Sequence, residues 1–251
     1  MDNNLSVVLN DSRCDLGNNS KILLDLVSNF SNARFMDLGV RHGHSSIIMS
    51  IGSEKNNNQV CGCDINFDYF NSWGSNYVNK NYICYLADSV TLGKNWDEKS
   101  FDIIFVDTIH TREQVLAELY YWSNHINENG YFVFHDSHWT KSGGDIINGV
   151  EHRRVDEAIT EYFDLPKNVM ELDVYQNDDI ELHHYEESHG MTFVKVKNLK
   201  TLKGLNKKID WKEVFQMRNE LNNLFFNETT IQDIENELVI DFNPEVKNES
   251  I

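Results

Sequence analysis

Short apolar runs alternate along this chain with stretches in which apolar residues return at every third or fourth position. Ile22, Leu23, Leu26, Val27 and Phe30 recur in that way and predict an amphipathic helix over 19–31. ARFMDLGV follows as a short strand that runs into a glycine-containing turn, and Ser45–Ile51 opens a second helical stretch. After the polar loop Asn56–Gln59, QVCGCDI reads as a strand, a helix is expected within 66–79, and YICYLAD reads as a third strand. FDIIFVD is a fourth. TREQVLAELYYWSNHI carries helical spacing through Val115, Leu116, Leu119 and Trp122, the turn NENG ends it, and YFVFHD is a fifth strand. A Gly-rich loop then leads into VEHRRVDEAITEYF, another predicted helix.

Strands that alternate with helices form parallel βαβ units with helices on both faces of the sheet. VMELDVYQ and GMTFVKVK lack a helix between them and read as an antiparallel finish, joined by the polar, acidic segment NDDIELHHYEESH. His183, His184 and His189 fall in that segment, which reads as a solvated loop. The expected fold is therefore α/β: a Rossmann-like doubly wound sheet, mostly parallel with an antiparallel last strand. Residues 1–200 form the main domain in this reading. Residues 201–251 are a helical C-terminal extension, in which Trp211, Val214, Phe215, Leu221 and Phe225 mark one amphipathic helix and Thr230 begins a shorter one ending near Leu238. Packing on the main domain is the expected role of the extension, with a lid or an oligomer contact as alternatives.

Composition narrows the function. The 251 residues carry 40 acidic against 22 basic side chains, a formal charge of −18, and no basic stripe interrupts it. Such a surface repels phosphate backbones, so nucleic acid is not an expected partner. No apolar run reaches the roughly 20 residues that span a bilayer, and the start MDNNLSVVLNDSR is unlike a secretory signal. A cytoplasmic protein with no membrane partner is expected. Of the four cysteines, Cys61, Cys63 and Cys84 lie in apolar runs and read as reduced core residues; no second pair stands at zinc-ligand spacing.

Acids close successive strands. In FMDLGVRHGHSS the first strand ends on Asp37, followed by Gly39, Gly43 and a helix beginning near Ser45. The glycines allow a tight turn and a close backbone approach to a ligand, and the helix start offers free N–H groups. The spacing is not the G-x-G-x-x-G of dinucleotide cradles. Asp64 closes the second strand, where an acid can accept from ribose hydroxyls, and Asp88 closes the third, placed to meet an adenine amino group. Asp107 and Asp136 end the fourth and fifth, with His110, His135 and His138 nearby in sequence. Two carboxylates beside neutral imidazoles suit a divalent ion.

These segments together resemble the class I S-adenosylmethionine-dependent methyltransferases over about residues 20–197. FMDLGVRHGHSS is similar to the D/E-x-G-x-x-x-G-x-S loop of the catechol O-methyltransferase-like group. FDIIFVDTIHTREQVLAEL, NGYFVFHDSH, GVEHRRVDEAI and GMTFVKVK resemble a bacterial branch holding macrocin-type and other sugar O-methyltransferases and cephalosporin hydroxylase-like proteins. The resemblance implies S-adenosylmethionine as cofactor. In it Asp37, Gly39, Gly43 and Ser45 hold the methionine end, Asp64 the ribose and Asp88 the adenine. It further implies Asp107 as metal ligand and His110 as base, with Asp107, Asp136 and His135 around Mg2+ or Mn2+. The acceptor would be a small hydroxylated molecule, such as a sugar, a nucleotide-linked sugar or another precursor in surface-glycan, polysaccharide or natural-product biosynthesis. The chain departs from that pattern at the fifth strand end. Catechol-type members have Asp-Asn there and macrocin-type members Glu-Asp, whereas His135, Asp136 and Ser137 stand here. That leaves a histidine ligand, a weaker site or no metal. Two alternatives accompany the methyltransferase reading: a hydroxylase-like member of the branch, which lacks a clear 2-His-1-carboxylate motif here, and a silent cofactor-binding subunit. In the latter, and in any homo-oligomer, the C-terminal helices would be the contact surface.

Overall fold

Five parallel strands form the centre of the computed structural model: β1 (Arg34–Leu38), β2 (Gln59–Asp64), β3 (Ile83–Leu86), β4 (Phe101–Val106) and β5 (Ile126–His135). The structure describes residues 3–138, 146–147, 150–151, 154–200, 202, 208–225 and 241–242. In space the five strands run β3-β2-β1-β4-β5, every neighbour parallel. The chain steps outward from β1 to β3, then returns to the other side of β1. That reversal opens a crevice beyond the carboxyl ends of β1 and β4, the place where open α/β sheets bind ligands.

The strands are parallel because both of their faces are buried. Along β4, Phe101, Ile104 and Val106 point into one apolar layer and Ile103 and Phe105 into the other. The first layer packs on Trp122, Phe132, Phe134 and Ile159; the second on Phe35, Ile47, Ile48 and Phe70. The crossovers are helical: α1 (Asn3–Asn10) and α2 (Asn19–Ser28) precede β1, and α3 (His44–Ser53), α5 (Ser89–Asn95) and α6 (Arg112–Trp122) link the parallel strands. The helix expected within 66–79 is instead a short α4 (Asp68–Ser72) followed by a 3-10 turn at Gly74–Asn76. Gly74 cannot be lengthened there, since a Cβ would sit 2.3 Å from the His42 carbonyl oxygen. The NENG turn lies inside β5 as an irregularity in its register with β4, with Asn129 at φ +63°.

After a two-stranded ribbon, β6 (Ile146–Ile147) and β7 (Val150–Glu151), comes α7 (Val155–Tyr162), within the predicted 150–163 stretch. The antiparallel finish is larger than its sequence indicated. β8 (Val174–Gln176), β9 (Ile180–Tyr185) and β10 (Met191–Val196) complete the sheet, with β10 lodged antiparallel between β5 and β9. His183 and His184 are thus in a strand, not in a solvated loop. Ile180, Leu182 and His184 face inward while Glu181, His183 and Tyr185 are half-exposed. Burial lowers the His184 pKa to about 4, so a neutral imidazole takes an apolar position and bonds the Thr192 hydroxyl through Nδ1 (2.8 Å). A histidine in an inward position hid the period-two pattern.

The helix marked by Trp211 and Leu221 is α8 (Trp211–Phe225), which packs on α6. Val214 and Leu221 are buried, and Trp211 and Phe215 lie against Tyr120 with ring centroids 4.6 and 5.4 Å apart. The strand β11 (Asp241–Phe242) pairs antiparallel with β3 and completes a nine-stranded sheet. The short helix expected over 230–238 lies outside the described residues. Among the described residues, Cys61, Cys63 and Cys84 are free and buried, as expected, and no helix is long and apolar enough to cross a membrane.

Candidate active site

The turn after β1 is built around two left-handed glycines. Gly39 (φ +90°) bonds the Cys63 carbonyl through its N–H (2.9 Å) and lies so close to β4 that a Cβ would sit 2.0 Å from the Asp107 carbonyl oxygen. Gly43 (φ +91°) starts α3, where a Cβ would press into the Phe70 ring. Between them Arg41 also takes a positive φ, and its backbone N–H donates to Asp64 Oδ2 (2.8 Å). Asp37 stands behind this turn and lines neither cavity described below. Its Oδ2 accepts from the hydroxyls of Ser45 (2.7 Å) and Ser46, and Ser46 in turn meets the Tyr82 hydroxyl (2.7 Å). Its Oδ1 is buried with no partner. Burial, only partly offset by the two serines, lifts its carboxyl to about 7. Asp37 therefore braces the glycine turn against α3.

Two cavities meet over Gly39. The first, about 200 Å³, is bounded by Gly39, Arg41, Cys63, Asp64, Ile65, Ala87, Asp88, Ser89, Asp107, Thr108, Ile109, Gln114 and Asn222. Asp64 is fixed by the N–H groups of Arg41 and Asn66 (2.8 and 3.0 Å), and its pKa is raised by burial against those bonds. Asp88 caps α5 by accepting from the Thr91 N–H (2.8 Å), and its other oxygen pairs with Arg218 of α8. The second cavity, about 120 Å³, is lined by Arg13, Asp15, Leu16, Gly39, Val40, Arg41, His42, His44, Ser45, Asp107, Thr108, His110 and Asp136. Gly39, Arg41, Asp107 and Thr108 belong to both.

The strand ends of β4 and β5 bring four charged groups together. His110 Nε2 is 2.9 Å from Asp136 Oδ2 and 3.5 Å from Asp107 Oδ1. His135 Nδ1 lies 3.4 Å from Asp107 Oδ2 and 3.4 Å from Asp136 Oδ2, while its Nε2–H donates to the Ser188 carbonyl (3.2 Å). Asp136 reaches this position with φ +53°, a left-handed conformation tolerated by Asp at roughly 1 kcal/mol and concentrated at functional sites. Burial pushes both carboxyls up and both imidazoles down, but the mutual pairing outweighs it. Asp107 falls to about 2, held by His135 and His110, and Asp136 falls below the carboxylate range beside the same two rings. His110 rises to about 10 on its bonds to Asp107 and Asp136, and His135 rises well above the usual imidazole range, chiefly through the Asp107 charge. One donor atom from each of Asp107, His110 and Asp136 lies within 4.8 Å of the others, a spacing a single metal ion can span; the histidine of this trio is His110, not the His135 expected from the sequence.

All the acids named from the sequence sit at this crevice, but not in one role. Asp64, Asp88, Asp107, His110, Asp136, Gly39 and Ser45 border the cavities; Asp37, Gly43 and His135 support them from behind. His138 is buried beside Glu186 (3.7 Å), away from both cavities. Arg13, Arg41, Thr108, Gln114 and Asn222 line them without having been singled out. For Arg41 the only sequence signal was its place between the two glycines.

A reversing parallel sheet with an antiparallel strand beside β5, a glycine turn after β1 and acids on successive strand ends make up a Rossmann-like methyltransferase fold. Residues 36–137 match the model of a family described as a methyltransferase domain. Solved structures agree in fold. The chain resembles the O-methyltransferase TomG from Streptomyces achromogenes, involved in tomaymycin synthesis and solved with S-adenosylmethionine (14% identity, 79% of this chain, 91% of that one, TM-score 0.54). It also resembles an O-methyltransferase from Bacillus cereus in complex with S-adenosylhomocysteine (17%, 78%, 92%, 0.53). The methyltransferase PaMTH1 from Podospora anserina, bound to S-adenosylhomocysteine, is similar too (11%, 79%, 89%, 0.53). No curated protein matches the chain in sequence.

Proposed function

We propose that the chain transfers the methyl group of S-adenosylmethionine to a hydroxyl oxygen of a small molecule. A sugar, a nucleotide-linked sugar or another hydroxylated precursor of surface-glycan or natural-product biosynthesis is the favoured acceptor. The carrying observation is the convergence of Asp107, His110 and Asp136 on the second cavity, at the wall it shares with the first.

The first cavity suits the cofactor. Gly39 lacks a Cβ, so the turn lies close against the Asp107 backbone at the cavity wall, and Asp64 keeps acceptor capacity for ribose hydroxyls beyond its two backbone bonds. Cys63, Ile65, Ala87 and Ile109 supply apolar surface for a base. When bound, the cofactor supplies an electrophilic methyl group on a sulfonium. The remaining task, orienting the acceptor hydroxyl and removing its proton, falls to the β4 and β5 strand ends.

A divalent ion, Mg2+ or Mn2+, fits those ends. His135 Nδ1 is buried without a hydrogen-bond partner, faces both carboxylates, and has its other nitrogen fixed by a backbone carbonyl. Metal-ligating histidines are oriented by such a partner. Asp107, Asp136 and His135 would hold the ion, which would lower the pKa of an acceptor hydroxyl. His135 then stands where the related branch has a carboxylate. His110, on the cavity wall, is left for the proton. The two carboxylates raise the His110 pKa to about 10, and a base must be neutral. A divalent ion held by Asp107 and Asp136 would add positive charge beside His110 and would lower its pKa.

Calorimetry with S-adenosylhomocysteine tests the cofactor: binding in the micromolar range is expected, lost on Asp64→Ala, and no binding to the unaltered chain overturns the proposal. Chelator-treated protein is expected to lose turnover with hydroxylated acceptors and to regain it with Mg2+ or Mn2+. Full activity after chelation removes the metal from the reading.

A further inference from the structure

The first cavity has a wall that does not come from the parallel sheet. α8 lays Arg218, Leu221 and Asn222 against the mouth of β3 and the start of α6, and all three are buried. Arg218 pairs with Asp88 through Nη2 and donates from Nε to Gln114 Oε1 (2.8 Å). Gln114 passes the connection on, donating from Nε2 to Glu118 Oε1 (2.8 Å) and Ser89 Oγ (3.1 Å). Asp88, Ser89 and Gln114, all cavity-lining, are thus tied to one cation on α8.

Asn222 stands one helical turn beyond Arg218, on the same face of α8. It is only 9% exposed, and it borders the cavity beside Asp88, Ser89 and Gln114. Among the described residues its carboxamide makes no hydrogen bond and lies on the cavity wall, where a ligand can meet it. A carboxamide offers one acceptor and one donor side by side, the complement of the amino group and neighbouring ring nitrogen on the edge of adenine.

We propose that Asn222 of α8 hydrogen-bonds the adenine edge of the cofactor, with Arg218 as the positioning residue that docks α8 and orients Asp88 and Gln114 around the base. This inference rests on the cofactor reading above. It makes the C-terminal helix part of the binding site and assigns base discrimination to a residue outside the sheet.

The test compares S-adenosylhomocysteine with its 6-oxopurine analogue, S-inosylhomocysteine, by calorimetry on the full chain. On the N6/N7 edge the oxo group turns the donor into an acceptor while N7 stays an acceptor, so no orientation of the carboxamide pairs with both. The unaltered chain is expected to prefer the adenine compound by at least roughly tenfold, the discrimination of a bidentate amide–adenine pair. Asn222→Ala, and the milder Asn222→Ser, are expected to weaken S-adenosylhomocysteine binding about tenfold and to erase that preference, with the ligand-free Tm unchanged. Arg218→Ala is expected to erase the preference as well, and Arg218→Lys to recover part of it. Variants of Asn222 that keep both the affinity and the preference overturn the inference while leaving the cofactor reading intact. An unaltered chain that binds neither compound overturns both.

Discussion

The two cavities share Gly39, Arg41, Asp107 and Thr108, yet they are held together by different forces. At the first, positions are fixed by backbone N–H groups, by glycine geometry, by hydrogen bonds among Ser89, Thr108, Gln114 and Glu118, and by the single ion pair of Arg218 with Asp88. At the second, two carboxylates and two imidazoles set one another's charge. The first arrangement is a shape prepared for a ligand of fixed structure. The second is an electrostatic balance that shifts when charge is added, which is what proton removal from a hydroxyl requires. Changes at one end should therefore move affinity, and changes at the other should move turnover.

The sharpest separation is expected from Asp107→Ala. Turnover should fall by about 10³, because the variant removes a charge facing both histidines, while S-adenosylhomocysteine affinity stays within about threefold. Equal losses in both measurements would break the division between the two ends. His110→Gln is expected to lower kcat about 10²-fold with little change in cofactor affinity, and to remove the ascending limb of the pH–rate profile. Survival of that limb would assign the proton to another group.

Gly39→Ala acts at the seam. The left-handed φ and the 2.0 Å approach to the Asp107 carbonyl should cost about 2–3 kcal/mol of stability, and cofactor binding should weaken as the turn shifts. Thermal unfolding with and without S-adenosylhomocysteine measures both; a variant of unchanged Tm would show that β4 yields at this point. The smallest effect is expected at Glu118, which underlies the first cavity. Burial lifts its carboxyl to about 7 against three hydrogen bonds, so the folded chain holds a proton that the unfolded chain releases. Stability contributed by this group is therefore complete below the unfolded value of about 4.5 and declines as pH rises to about 7. Glu118→Gln should flatten that decline, raising Tm by about 3 °C at pH 8 and leaving it unchanged at pH 4. An equal shift at both pH values would assign the effect to packing instead.

The parallel core was legible because each strand is an apolar run that stops on an acid. Asp64, Asp88, Asp107 and Asp136 stand out for that reason, and the turn between Asp37 and Ser45 announces itself by its glycines. β9 was missed where His184 occupies an inward position, since periodicity assumes that buried positions are apolar. The helix over 66–79 broke at Gly74, where contact with the His42 carbonyl overrode local spacing. Asp37 was legible as the acid that ends the first strand, but its placement behind the glycine turn depends on Ser46 and Tyr82, which only packing brings to it.

The order of elements and the acids on the strand ends could be read from the chain alone, because hydrophobic period and strand termination are local properties. The partners of those acids were set by packing. His135 meets Asp107 because β4 and β5 are adjacent and parallel, and Arg218 meets Asp88 across 130 residues of chain. Charge balance and base contact depend on distances through space, and these are fixed when the sheet closes its register and α8 packs down on α6.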